Sequence, residues 1–181
     1  MPSSDPAPEL SLKPFSVDRD LVLLERWLTD AEVATWFVDA AHQSAEAVAR
    51  PSHQQCLLFV GDRPVGYARW QQVDPAALAT LGLHDIPAGA VDLDVLLGEP
   101  GARGHGWGPR FVGLLCQRLF EDPRVSLIGM VTSENHARAR RAWEKAGLRL
   151  EQTYEDQRYG PCQVFMRRRS ATAPVTPSDQ R

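Results

Sequence analysis

The sequence predicts an α/β (α+β) fold with a mixed, mostly antiparallel central sheet and helices on both of its faces. Short apolar runs typical of strands alternate with runs whose apolar residues recur at helical spacing. A turn-rich tetrad at residues 61–64 joins two strand-like runs into a hairpin. With 181 residues, 43% of them hydrophobic and 24% charged, the chain is large enough for one sizeable core.

The first half of the chain is predicted to contain three strands and two helices. The helix at its start carries apolar residues on one face, at Leu21, Leu24, Trp27 and Leu28. The predicted elements, in order, are a strand at 10–15, a helix capped by Asp18, a short helix at 30–36, strands at 56–60 and 65–71, and a Pro-, Ala- and Gly-containing insertion at 74–90.

The second half is predicted to alternate strands and helices and to end in an antiparallel pair. The predicted elements are a strand at 91–97, a helix at 109–120, a strand at 125–132, a helix at 135–147, and paired strands at 148–154 and 163–168. Residues 1–8 and 170–181 are rich in Pro, Ser and Ala and are expected to be disordered tails. Residues 9–169 are therefore expected to form a single domain.

A glycine-rich turn between a strand and a helix is the clearest chemical motif. Its residues are Arg103, Gly104, His105, Gly106, Trp107 and Gly108, and Pro109 suits the first helical turn that follows. Alternate glycines remove Cβ atoms, so consecutive N–H groups can point at one anion beside the positive helix end. The motif predicts a cradle for a phosphate or pyrophosphate.

The spacing of the glycines in the turn distinguishes among three kinds of nucleotide-binding loop. It lacks the G-x-G-x-x-G order of a Rossmann fingerprint and the Lys-Ser/Thr pair of a P-loop. Its R-x-x-G-x-G pattern resembles the acetyl-CoA pyrophosphate loop of the GNAT N-acetyltransferase superfamily. Residues 143–148 (WEKAGL) are similar to the Y-E-K-x-G-F motif that closes the same site, in the same order along the chain.

Residues 23–36, 59–70 and 91–97 look like corresponding segments of the aminoglycoside 6'-N-acetyltransferases within that superfamily. The resemblance implies a GNAT fold whose sheet is splayed at the acetyl-CoA site, with acetyl-CoA as donor and coenzyme A as product. The implied cofactor contacts are Leu96, Arg103, Gly104, His105, Gly106, Trp107, Gly108, Asn135 and Trp143. A backbone N–H of Leu96 or its neighbour is implied as the donor to the thioester oxygen.

Two carboxylates stand directly before the glycine-rich turn. Asp92 and Asp94 lie two residues apart on a strand, so their side chains share one face, while Val91, Leu93 and Val95 share the other. The pair could bind a cationic amine, orient it and in one case take its proton. Asp94 aligns with the strand carboxylate of the aminoglycoside enzymes and is the predicted catalytic residue. The alternative is that both aspartates face solvent.

Trp143 stands where the family has a tyrosine that protonates the leaving thiolate. An indole N–H cannot supply a proton near neutral pH, so water, Tyr154 or Tyr159 would have to serve. Asn135 lies eight residues before Trp143, where the family has seven, and His136 occupies the usual place. We expect a helix start shifted by one residue; the alternative is that His136 replaces the asparagine.

The resemblance places Trp36 and Asp39 at the acceptor side of the site, facing the strand that carries residues 67–70. Stacking on indole with carboxylates nearby would suit a polyamine sugar. The alternative is that Trp36 and Trp70 belong to the core. The histidines lack metal-ligand spacing and are expected at the surface or in loops: His42, His53, His84 and His105. No metal is expected.

Charge and cysteine content limit the remaining classes. The formal charge of −3 carries no basic nucleic-acid footprint, and no membrane-spanning run is present, so we expect neither partner. Cys56, Cys116 and Cys162 are expected to be core thiols in a cytoplasmic protein. The chain is expected to act as a monomer or homodimer.

The predicted activity is direct transfer of acetyl from acetyl-CoA to a primary amine, most simply an aminoglycoside 6'-amine. Alternatives are a lysine-like amine in siderophore assembly, a protein N-terminus, or a GNAT module that binds acyl-CoA without turnover.

Overall fold

The computed structural model describes residues 8–37, 44–50, 53–157 and 160–170. The strands are β1 (Leu10–Pro14), β2 (Gln54–Val60), β3 (Arg63–Gln72), β4 (Ala90–Leu97), β5 (Leu127–Ser133), β6 (Arg149–Asp156) and β7 (Gly160–Arg168). The helices are α1 (Val17–Leu28), α2 (Ala31–Trp36), α3 (Ala45–Val48), α4 (Pro75–Thr80), α5 (Trp107–Leu119) and α6 (Ala137–Lys145). One 3₁₀ turn, Pro100–Ala102, follows β4.

The seven strands form one sheet in the order β1-β2-β3-β4-β5-β7-β6. Every neighbouring pair is antiparallel except β4 and β5, which run parallel. β4 and β5 pair only from Ala90↔Leu127 to Asp92↔Gly129, whereas β4 continues to Leu97 and β5 to Ser133. The sheet therefore splays between residues 93–97 and 130–133, a gap that we call the opening. The predicted mixed, mostly antiparallel sheet is confirmed.

Helices cover both faces of the sheet, as predicted. The main core cluster packs α5 and α6 on one face and contains Val91 and Leu93 of β4. A second cluster packs α1, α2 and α3 on the other face and contains Leu96 of β4. Because side chains alternate along a strand, Asp92 and Asp94 lie on the face that α1, α2 and α3 cover. The predicted division of β4 into two faces is confirmed.

Two predicted starts, of the first helix and of the fifth strand, are wrong in informative ways, and the expected insertion contains a helix. Asp18 does not cap α1: Ser16 is the N-cap, and the Asp20 carboxylate accepts its N–H at 2.8 Å. The expected insertion contains α4, which begins with Pro75 after the N-cap Asp74, whose side chain accepts the Ala76 N–H at 2.9 Å. The strand predicted from residue 125 begins at Leu127. Each error concerns a segment where local capping or pairing, rather than periodicity, sets the boundary.

All three cysteines are buried, which confirms their interpretation as core thiols. Burial raises the pKa of Cys56 to about 12 and that of Cys116 to about 11. Both therefore stay protonated and unreactive near neutral pH. In the described part of the chain, no helix combines the length and apolar character needed to cross a bilayer.

Some residues that carry sequence predictions lie outside the described residues. They are Asp39, His42, Tyr159 and the predicted tails apart from Pro8 and Ser170.

Candidate active site

The glycine-rich turn connects the end of β4 to α5 at the mouth of the opening. Gly104 has φ +82° and Gly106 has φ +77°, backbone conformations that favour glycine. A Cβ added at either position would find no heavy atom within 4 Å. Within the described residues, no backbone acceptor is recorded for the N–H groups of Gly104, His105 or Gly106. The turn thus leaves open space and exposed N–H donors, the features that an anion cradle requires.

Helix α5 extends this donor set. Its N-cap is Gly106, which lacks a side chain to cap the first-turn N–H groups, and Pro109 stands in that turn as predicted. The remaining predicted contacts flank the cradle: His105 is exposed and its Nδ1 lies 2.9 Å from the Arg103 carbonyl, and Trp107 is half-buried with the Arg110 guanidinium 5.0 Å from its ring. The pyrophosphate of a nucleotide cofactor fits this geometry.

The Arg103 side chain is largely committed to protein partners, although the sequence predicts it as a cofactor contact. It is 12% exposed, and its Nη2 and Nη1 lie 2.8 Å and 3.2 Å from the carboxylates of Asp30 and Glu32. Its Nε donates to the Leu97 carbonyl at 3.0 Å, and Nη2 also donates to that of Gly98 at 2.9 Å. Arg103 therefore ties the end of β4 to the start of α2, and a cofactor contact by its guanidinium stays a prediction.

Helix α2 reaches across the opening to the start of α6. Glu32 pairs with Arg103 on one side and with Arg138 of α6 on the other. Trp36 stacks on His136, with ring centroids 4.3 Å apart and planes 8° apart. Burial, and then the Arg138 guanidinium, lower the pKa of His136 to about 4. The stacked imidazole is therefore neutral at physiological pH.

The two tryptophans that the sequence places near the acceptor side have different environments. Trp36 is half-buried and does not belong to any of the core clusters of the described residues. Trp70 packs against the main core, and its Nε1 donates to Gln54 at 3.0 Å. The core alternative thus describes Trp70, whereas an acceptor contact by Trp36 stays a prediction.

A polar network lies on the face of the sheet that α1, α2 and α3 cover. Arg69 on β3 stands opposite Asp94 on β4, and its Nε donates to Asp94 Oδ2 at 2.8 Å. Next to this pair, the Tyr67 hydroxyl donates to Gln55 Oε1 at 2.7 Å. Burial raises the pKa of Tyr67, so its hydroxyl stays protonated. We call the side chains of Gln55, Tyr67, Arg69 and Asp94 the polar network.

His53 and Asp92 border the polar network. His53 was expected at the surface or in a loop, and it lies in the bend before β2, where its Nδ1 is buried and has no hydrogen-bond partner within the described residues. Burial, and next the Arg69 guanidinium, lower the pKa of His53. Asp92 is half-buried at the last paired position of β4 and β5. The alternative that Asp92 and Asp94 simply face solvent is wrong for Asp94, whose carboxylate is ion-paired.

Sequence reasoning missed Arg69, Gln55 and His53. The strand assignments contain the signal, because antiparallel pairing of β3 with β4 places Arg69 opposite Asp94, and pairing with β2 places Gln55 opposite Arg69. The register needed for this inference depends on where each hairpin turns, which periodicity alone does not give.

The backbone of Leu96 is directed toward β3 rather than toward the opening. A Cβ added to Gly66 of β3 would stand 2.3 Å from the Leu96 carbonyl oxygen. The N–H and C=O of one residue in an antiparallel pair face the same neighbour, and successive residues alternate. The Leu97 carbonyl accordingly points away from β3 and accepts from Arg103. We infer that Val95 and Leu97 direct N–H groups at the opening.

Helix α6 carries the second motif and is shorter than the helix predicted at 135–147. It begins at Ala137 with His136 as N-cap, so Asn135 lies outside the helix, in an exposed turn. Trp143 is 8% exposed within the main core, where its ring meets Phe165 edge-on at 5.4 Å. Cofactor contacts by Asn135 and Trp143 stay predictions, with Trp143 explained at least as well by packing.

Trp143→Phe should keep most of the activity per folded molecule, because the indole N–H is not expected to supply a proton. It should lower the free energy of unfolding by about 1–2 kcal/mol, because a smaller ring leaves space beside Phe165. Trp143→Tyr should raise turnover only modestly and add no acidic limb to the pH profile. Steady-state kinetics and denaturant unfolding check both variants, and a hundredfold gain in Trp143→Tyr would show that the natural chain lacks an acid that its chemistry needs.

The opening, the glycine-rich turn and the carboxylate-bearing strand are the features that an acyl-CoA-dependent transferase would need. Residues 16–155 match the model of the acetyltransferase (GNAT) domain, so the chain belongs to the GNAT acetyltransferase family. It is an acetyl-CoA-dependent N-acetyltransferase.

Particular relatives share this architecture along most of the chain. An aminoglycoside N(6')-acetyltransferase type 1 of Klebsiella pneumoniae is 28% identical, over 75% of this chain and 72% of the relative. The crystal structure of aminoglycoside acetyltransferase AAC(6')-Ib with coenzyme A and kanamycin superposes with a TM-score of 0.72 at 26% identity, covering 89% of this chain and 95% of that one. An aminoglycoside N(6')-acetyltransferase of Legionella pneumophila, at 14% identity, TM-score 0.71 and coverage of 87% and 90%, shares the fold.

Proposed function

We propose that the protein transfers acetyl from acetyl-CoA directly to the 6'-amine of an aminoglycoside. The observation that carries this proposal is the position of Asp94, an ion-paired carboxylate on β4 that lies two residues beyond Asp92, the last residue of this strand paired with β5. An ammonium group is the natural partner of such a carboxylate. The names of the relatives, aminoglycoside acetyltransferases, support the choice of a cationic sugar as acceptor.

The donor is proposed to lie along the opening. The N–H groups of the glycine-rich turn and the N-terminus of α5 would hold the pyrophosphate. Acetyl-CoA supplies the reactive thioester. We place an N–H of Val95 or Leu97 beside the thioester oxygen, one residue to either side of the Leu96 implied by the resemblance.

On the acceptor side, Asp94, Asp92 and Trp36 are proposed to hold the amine and its sugar ring. Asp39 keeps its predicted place in this group. The bound ammonium group first loses a proton to water, and the resulting neutral amine attacks the carbonyl carbon. The C–N bond forms, the C–S bond breaks, the nitrogen gives a second proton to water, and the departing thiolate takes up a proton from water. The pKa of a thiol, about 8.5, makes a dedicated acid dispensable. Burial raises the pKa of Tyr154, one of the acids considered, which makes it a poor proton donor.

We also propose that the enzyme works in the cytoplasm, as a monomer or homodimer, on a small-molecule amine. Both of its proposed ligands are small and polar, and the site is assembled from elements of one chain.

A thiol-release assay with acetyl-CoA tests the proposal. Kanamycin or tobramycin should release coenzyme A thiol well above the acceptor-free rate. Lysine and short peptides with free N-termini serve as the competing acceptors. Faster turnover of lysine or of peptides would replace the aminoglycoside with that amine class, and binding of acetyl-CoA without thiol release would identify a non-catalytic module.

A further inference from the structure

Arg69 is a deeply buried charged side chain beside the proposed acceptor position. The residue is 7% exposed and stands on β3 directly opposite Asp94 of β4. Burying a permanently charged guanidinium is costly unless it is paired and hydrogen-bonded. The groups that contact Arg69 should therefore indicate the role of its buried charge.

Three elements hold the guanidinium in place. Its Nε donates to Asp94 Oδ2 at 2.8 Å, and its Nη1 donates to the carbonyl of Val48, the last residue of α3, at 3.1 Å. Its central carbon lies 5.4 Å from the centre of the Phe37 ring, just after α2. Arg69 is thus fixed at one end by α3 and at the other by Asp94.

The two side chains of the Arg69–Asp94 pair differ in their exposure to solvent. The Arg69 side chain is 9% exposed, whereas that of Asp94 is 33% exposed. The guanidinium therefore contacts the carboxylate on its buried side, while the other side of the carboxylate remains accessible to a ligand. A charge-assisted hydrogen bond restricts the aspartate to the rotamers that keep this contact.

We propose that Arg69 is a positioning residue for the acceptor, acting through Asp94. It fixes the carboxylate that receives the ammonium group, and it keeps that carboxylate an anion. The positive guanidinium beside Asp94 favours the ionised carboxylate, so Asp94 orients the amine and the proton passes to water. This inference rests on the proposed function, because it needs an amine at Asp94.

A double-mutant cycle tests the proposal, using Arg69→Gln, Asp94→Asn and the two together. Arg69→Gln should raise the acceptor KM and lower kcat/KM by about 10- to 100-fold, because misplacement of a binding group costs factors of this size. The acetyl-CoA affinity should stay within about twofold. In the Asp94→Asn background the same change should lower kcat/KM by less than about threefold, since interacting residues are not additive.

Arg63→Gln is the matched control, because Arg63 lies exposed at the start of the same strand. Arg69→Lys keeps the charge but cannot reach both Val48 and Asp94 with one planar group, so it should recover only part of kcat/KM. It takes the place of Arg69→Gln in the cycle if that variant does not fold.

Fully additive effects, or an equal loss of acetyl-CoA affinity, would overturn the proposal and assign Arg69 a purely structural role. If the unsubstituted enzyme acetylates aminoglycosides but the effects of the two substitutions are additive, the positioning role is contradicted and the proposed function stands. Absence of wild-type turnover with any amine contradicts both this role and the proposed function.

Discussion

Asp94→Asn is expected to lower kcat/KM for an aminoglycoside by about a hundredfold or more. The substitution keeps the size of the side chain and removes the charge that attracts the ammonium group and pairs with Arg69. An amine held less accurately against the thioester loses rate by factors of this order. Steady-state kinetics measures the loss, and calorimetric titration should show that acetyl-CoA still binds.

Asp62→Asn is the control for this change, because Asp62 lies exposed in the turn between β2 and β3. Asp92→Asn separates the two carboxylates of β4. If Asp94→Asn keeps the wild-type kcat/KM while Asp92→Asn loses most of it, Asp92 is the carboxylate that binds the amine. Wild-type rates in both variants would place the acceptor elsewhere.

Gly106→Val is expected to weaken acetyl-CoA binding by a hundredfold or more. The residue has φ +77° and caps α5, and its missing Cβ faces open space at the cradle. A valine there would fill the space in which the pyrophosphate approaches the N–H groups. It would also strain the left-handed backbone by about 1–2 kcal/mol.

Gly82→Val provides a matched control for the strain. Gly82 has φ +80°, and a Cβ there likewise meets no heavy atom within 4 Å, but it lies in the turn after α4. Both variants should unfold at similarly lowered temperatures, and only Gly106→Val should lose the cofactor in calorimetric titration. Equal acetyl-CoA affinity in the two variants would remove the glycine-rich turn from the site.

The glycine-rich turn and the helix after it could be predicted because their determinants are local. Alternate glycines, Pro109 in the first turn and apolar residues at helical spacing are all visible within residues 103–120. The division of β4 into a carboxylate face and a core face also follows from local alternation. These local features predict a cofactor-binding side without reference to any tertiary contact.

The acceptor side depended on tertiary register and was predicted less completely. Arg69 and Asp94 are 25 residues apart, and their pairing follows from how β3 and β4 align. The orientation of the Leu96 carbonyl is likewise a property of that pairing. A shift of one residue would reverse both, so periodicity could not supply them.

The motif at residues 143–148 shows that a local match to a family pattern does not by itself establish the role of each side chain. Residues 143–148 match a family pattern locally, yet Trp143 packs in the core against Phe165. A large aromatic side chain on the inner face of α6 contributes buried area whether or not it touches a cofactor. The motif therefore supports the family more strongly than it supports a role for this side chain.

Localisation of the acetyl group on the product is the most direct test of the proposed function. Kanamycin and acetyl-CoA should give a singly acetylated product, and fragmentation mass spectrometry should place the acetyl on the 6' nitrogen. An aminoglycoside with a hydroxyl in place of that amine should give no N-acetylated product. Acetylation of kanamycin at another amine, or no product from kanamycin while lysine or a peptide is acetylated, would contradict the assignment of this site to aminoglycoside 6'-N-acetylation.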